Sequence, residues 1–109
     1  MSKRVLEITS EAKNDVFLSY ASVWELQIKV QLNKLSVPLP PREFIQELQD
    51  FNRIELLAIQ LDDIYSLSQL PLHHRDPFDR LIIAQAYRMK LPLITSDHIM
   101  WQYPIETVW

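Results

Sequence analysis

Asp76-Pro77-Phe78-Asp79-Arg80-Leu81-Ile82-Ile83-Ala84-Gln85-Ala86-Tyr87-Arg88-Met89-Lys90-Leu91-Pro92-Leu93-Ile94-Thr95-Ser96-Asp97 is a helix signal that runs straight into a strand signal. Asp76 suits an N-cap, and Pro77 suits the first helical turn, where no N–H is needed. From Phe78 to about Lys90 the apolar residues lie nearly all round the helix. Such a helix is covered on more than one side. Leu91 to Thr95 is then a short apolar run of strand length. A carboxylate, Asp97, follows directly.

The same alternation extends outward. Asp62 to Leu70 reads as a helix with an acidic first turn. Ile54 to Ile59 reads as a strand, and Pro41 to Phe51 as a helix opened by proline. Leu26 to Leu32 alternates like a strand. Against that, Ser22 and Glu25 have capping-box spacing, and Trp24, Ile28 and Leu32 share a helix face. We read the segment as a helix, with Trp24 packed in the core and Asn33 ending it in the left-handed region. Val16 to Tyr20 is a strand, and Ser2 to Lys13 a first helix broken by Asn14-Asp15. Ile105 to Trp109 is a last strand. Helices alternating with strands predict an α/β domain with a parallel sheet.

A chain of 109 residues is one domain's worth, so residues 1–109 are expected to form a single domain. It has no cysteine, which excludes disulfides and thiolate metal sites. No apolar run approaches the roughly 20 residues of a membrane span, and the start is not signal-like. A cytoplasmic protein without a membrane partner is expected. The net charge of −3 argues against a nucleic-acid partner on composition alone. The chain also has no glycine, so glycine-rich phosphate loops are excluded.

In parallel α/β sheets, ligands sit beyond the carboxyl ends of the strands. Glu25, Asp79 and Asp97 fall near that edge. Each has a structural explanation: Glu25 as the far end of a capping box, Asp79 as a first-turn acid behind the Asp76 cap, Asp97 as a turn residue. Gathered together, they would repel. Two carboxylates about 4 Å apart cost roughly 4 kcal/mol at an effective dielectric near 20. A hard divalent cation, Mg2+ or Mn2+, relieves this and suits phosphodiester hydrolysis. His73-His74 reads as a solvated pair. Arg75, Arg80 and Lys29 are candidates for holding phosphates, or else surface salt-bridge residues.

Three blocks of the sequence resemble the VapC-type toxins of the PIN-domain family. Phe17-Leu18-Ser19-Tyr20-Ala21-Ser22-Val23-Trp24-Glu25-Leu26-Gln27-Ile28-Lys29 resembles the family's S-x-x-S-x-W-E-I-x-I-K segment. Leu32-Asn33-Lys34-Leu35 follows where Leu-Gly-Lys-Leu is usual. Leu70-Pro71-Leu72-His73-His74-Arg75-Asp76-Pro77-Phe78-Asp79-Arg80-Leu81-Ile82-Ile83-Ala84-Gln85-Ala86 is similar to LPxxHRDPFDRLLIAQA, and Ile94-Thr95-Ser96-Asp97 to V-T-x-D.

The resemblance implies a three-layer α/β/α sandwich with a central parallel sheet. It implies a Mg2+- or Mn2+-dependent endoribonuclease of a VapBC-type toxin–antitoxin system, with RNA as substrate, a VapB-like antitoxin as partner, and a homodimer. Glu25, Asp79 and Asp97 would be catalytic metal holders, and Asp76 an accessory acid or helix cap. Asp62 and Asp63 match no catalytic block. Family members begin with a strand ending in an acidic motif and then a helix. Met1-Ser2-Lys3 aligns after that helix, so about 20–30 residues, including one acid, are expected to be absent. Two alternatives stand beside an active nuclease. One is an inactive remnant that binds an antitoxin or dimer partner; the other is an unrelated acidic-edged α/β binding module.

Overall fold

A computed structural model describes residues 2–11 and 13–109. Met1 and Ala12, the latter inside the predicted first helix, lie outside the described residues. The chain divides into two compact units, Asp15–Ala58 and Met1–Asn14 with Ile59–Trp109. The fold class is as expected: helices combined with parallel strands. None of the described helices is long and apolar enough to cross a membrane.

α1 (Lys3–Ser10) belongs to the other unit; the Asp15–Ala58 unit contains β1 (Val16–Ser19), α2 (Tyr20–Gln31), α3 (Pro41–Asn52) and β2 (Ile54–Leu57). β1 and β2 pair in parallel, Val16 opposite Ile54 and Ser19 opposite Leu57. A parallel pair needs a long crossover, and α2 and α3 supply it. Ser19 ends β1 and caps α2 at once, its Oγ accepting the Ala21 N–H at 3.0 Å. The helix therefore starts three residues earlier than the Ser22 cap implied, and Ser22–Glu25 is no capping box. Asn33 takes φ 56° just past the helix, as expected of a chain without glycine. Arg53 does the same after α3, and Lys90 after the helix Pro77–Met89, positions with no sequence sign of a left-handed residue. Trp24 corrects the core reading: it is 56% exposed, and Leu32 is exposed with it.

The other unit contains α1 (Lys3–Ser10), α4 (Leu61–Tyr65), α5 (Pro77–Met89), β3 (Leu93–Ile94) and β4 (Thr107–Val108). β3 and β4 pair in parallel, Leu93 opposite Thr107 and Ile94 opposite Val108. Both strands are shorter than predicted. Pro92 has no N–H to give to a ladder, and Pro104 stands just before the second run. α5 buries Ile83, Ala84, Gln85 and Ala86, four successive positions that take up most of the helix circumference. This bears out a helix covered on more than one side. Its core partners are Leu70, Met100 and Tyr103, with Leu67, Leu93 and Ile105 packed around them.

The predicted helix over Asp62–Leu70 is instead α4 followed by a 3-10 turn, Ser66–Gln69. Ser66 Oγ donates to the Asp63 carbonyl at 2.8 Å, and Ser68 Oγ to the Tyr65 carbonyl at 3.1 Å. Hydroxyls that bond backbone three residues back favour the tighter turn. Asp63 is more than a helix-start residue. It is fully buried, closes a capping box on Gln60, and takes the Arg88 Nε at 2.6 Å from α5.

Candidate functional site

The site is built where β3 ends and α5 begins, both in the same unit. Just past β3, Thr95 Oγ1 accepts the Asp97 N–H at 3.0 Å. Asp97 Oδ1 accepts the Ile99 N–H at 2.9 Å, and its carbonyl accepts the Met100 N–H at 3.1 Å. The residue is thus pinned through its backbone and through one carboxylate oxygen. The other oxygen, Oδ2, is 3.0 Å from His74 Nε2.

At the start of α5, Asp76 Oδ1 accepts the Phe78 N–H at 2.8 Å and the Asp79 N–H at 3.4 Å. That cap sets the first turn, from which Asp79 Oδ2 reaches the same His74 Nε2 at 3.1 Å. One nitrogen therefore meets two carboxylates from different elements. Asp97, Asp79 and His74 each place a donor atom within 4.8 Å of the others.

His74 is held from below and from the side. The buried Tyr103 hydroxyl accepts the His73 and His74 backbone N–H groups at 3.0 and 2.8 Å. The His73 ring meets the Tyr103 ring edge-on at 5.1 Å. A core tyrosine thus fixes the loop. The Asp76 N–H donates to His74 Nδ1 at 3.1 Å. With Nδ1 accepting, Nε2 carries the ring proton. In this tautomer Nε2 donates to the carboxylates and has no lone pair for a metal. The sequence reading of a solvated His73-His74 is corrected for His74, whose side chain is only 14% exposed.

Two carboxylates from different elements face one imidazole nitrogen here. The Ile99 N–H holds the Asp97 carboxyl below its ordinary value of 3.8; desolvation opposes this, and the hydrogen bond and charge of His74, then the charge of His98, add to it. An ionised Asp97 beside Asp79 attracts a cation. The donor set suits a hard divalent ion: carboxylate oxygens, no thiolate. The donor atoms of His74, Asp79 and Asp97 lie within 4.8 Å of one another, against at most roughly 4.2 Å between opposite ligands of a six-coordinate ion with bonds of about 2.1 Å, so a small closing movement would bring both carboxylates onto one ion. The residues fit such an ion.

The remaining predicted site residues sit as follows. Glu25 lies within α2, in the Asp15–Ala58 unit, half-buried and 3.6 Å from Lys29 Nζ one turn on. Lys29 is thereby engaged in an ordinary helix-surface pair. Arg75 is exposed beside His74. Arg80 turns toward the fold: its Nη2 donates to the Leu67 carbonyl at 3.3 Å, and its Nε is buried. Sequence reasoning missed His74 as the joint between the acids and Tyr103 as its support. The signal available was positional, since His74 stands two residues before the Asp76 cap.

A family model described as the PIN domain matches residues 2–105. No curated protein and no solved structure matches the chain.

Proposed function

This chain belongs to the PIN domain family, and from that premise we propose that it is an endoribonuclease of the VapC toxin type. PIN domains are generally nucleases that depend on divalent metal, bind RNA and often partner with antitoxins. The finer reading is hydrolysis of RNA phosphodiesters with Mg2+ or Mn2+, silencing by a VapB-like antitoxin, and a homodimeric state in the cytoplasm. The observation that carries it is the convergence of Asp79 Oδ2 and Asp97 Oδ2 on one nitrogen, at 3.1 and 3.0 Å.

Asp79 and Asp97 would hold the ion, and the same role for Glu25 rests on the family resemblance alone. When bound, the ion supplies Lewis acidity and neutralises charge on the phosphate. His74 is a positioning residue in this scheme. Its Nε2–H holds the two carboxylate oxygens together while no ion is bound. The ion and the Nε2–H compete for the same two oxygens. Asp76 positions Asp79 through the cap and His74 through Nδ1. Arg75, exposed at the same loop, is the best placed of the three basic candidates to meet a phosphate. Lys29 and Arg80 are already engaged by protein groups. The exposed apolar residues Tyr20 and Trp24, one turn apart on α2, with Leu32 at its C-cap, support a protein partner such as an antitoxin or second copy.

The test is cleavage of single-stranded RNA by purified, folded chain. Activity is expected with Mn2+ and is lost on adding chelator. Asp79→Asn is expected to lower it by about 100-fold or more, with its folding unchanged. A folded wild-type chain that leaves RNA intact at saturating Mn2+ overturns the nuclease reading in favour of a PIN domain that only binds a partner.

A further inference from the structure

Beyond the acid pair, the turn that carries Asp97 also presents two aromatic rings. His98 and Trp101 meet edge-on, with ring centroids 4.2 Å apart and planes at 61°. Trp101 is 42% exposed, although a tryptophan ordinarily buries most of its large apolar surface. Its one polar atom is already satisfied: Nε1 donates to the Thr95 carbonyl at 3.1 Å. The ring is therefore fixed in orientation and offers solvent only its π surface and edges.

Thr95 holds both features. Its hydroxyl accepts the Asp97 N–H and its carbonyl accepts the Trp101 indole, at 3.0 and 3.1 Å. The strand end that aims the carboxylate also aims the ring. His98 lies between them in sequence, close enough for its charge to lower the Asp97 carboxyl. A planar, apolar group bound here would sit beside whatever the acids act on.

We propose that Trp101, with His98 at its edge, is a stacking platform for a nucleobase neighbouring the phosphate at the Asp79–Asp97 site. Stacking needs only a π face, so such a platform accepts any base. The chain's charge sharpens the point. At −3 it has little of the basic surplus from which RNA binders draw affinity. A larger share must then come from contacts that salt does not screen, and a pre-fixed indole supplies one without losing rotamer freedom on binding. The proposal rests on the nuclease reading of the same site.

The experiment measures binding of a short, fluorescently labelled single-stranded RNA in chelator, so that nothing is cut, and again with Ca2+. A second RNA of equal length carries abasic residues, which keep the phosphates and remove the bases. Wild type is expected to prefer the intact RNA. Trp101→Ala weakens binding of intact RNA by roughly 5- to 150-fold, the range of one lost base–aromatic stack, and leaves abasic RNA unaffected. Trp101→Phe restores most of the loss, and His98→Ala gives a smaller one. Thermal melting of each variant shows whether the fold is kept. Equal affinity of wild type for both RNAs overturns the platform and leaves the nuclease reading standing. So does a Trp101→Ala loss that is the same for both RNAs, since that marks a structural residue. An unchanged affinity in a folded Trp101→Ala points to a protein contact at this ring and likewise overturns it. Wild type that binds neither RNA overturns both readings.

Discussion

Asp97 spends its two carboxylate oxygens differently. Oδ1 takes the Ile99 N–H, while Oδ2 faces His74 and shares it with Asp79. The first bond stabilises the charged form, and so the Asp97 carboxyl lies below its ordinary value of 3.8. A carboxyl whose value is depressed on folding stabilises the native state above the unfolded value and loses that contribution as pH falls through the folded one. Following the Asp97 carboxyl carbon by NMR should therefore give a midpoint under 3.8, with His74→Ala moving it up and Ile99 untouched. A midpoint at or above 3.8 in the wild type would mean that the turn does not hold the carboxylate as described. Residue by residue, the acids were legible in the sequence because acids after strands and in first turns carry positional meaning. His74 was not, because its role depends on Tyr103, about thirty residues away, holding its backbone.

Among the elements, α5 organises its unit. Its N-terminus presents Asp79, its middle fills the core, and its last turn sends Arg88 to the buried Asp63 of α4. The Arg88 guanidinium also donates from Nη2 to Gln60 Oε1 at 3.3 Å, so cap and ion pair form one network. Removing Asp63 strips the capping box and leaves the Arg88 Nε without its carboxylate. Asp63→Ala is expected to cost about 3 kcal/mol, the lower end for breaking a buried pair because Arg88 keeps some contact with water. Chemical denaturation measures this directly, and a loss under about 1 kcal/mol would show the pair to be dispensable. Helices and strands were readable from period and caps wherever one signal dominated. They were misread where local hydroxyls competed. Ser19 took the cap that Ser22 seemed to offer, and Ser66 and Ser68 turned the end of a predicted helix into a tighter coil. Strand lengths were overestimated because apolar runs do not reveal which N–H groups find a ladder.

For the molecule as a whole, fold class was the most legible property. Alternating periods imply α/β, and parallel pairing follows from the long helical crossover between β1 and β2. What composition suggested about partners was less useful. A net charge of −3 argues against RNA, yet family membership argues for it. At the local scale, a strand end and a helix start bring two carboxylates to one histidine nitrogen, a concentration of negative charge that invites a cation. The most direct measurement is Mn2+ binding by calorimetry on the intact chain. The account predicts binding by the wild type, loss of at least about tenfold in affinity in Asp79→Asn and in Asp97→Asn, and tighter binding in His74→Ala, where no Nε2–H competes for the two oxygens. Unchanged Mn2+ affinity in both aspartate variants, or weaker binding in a folded His74→Ala, would contradict it.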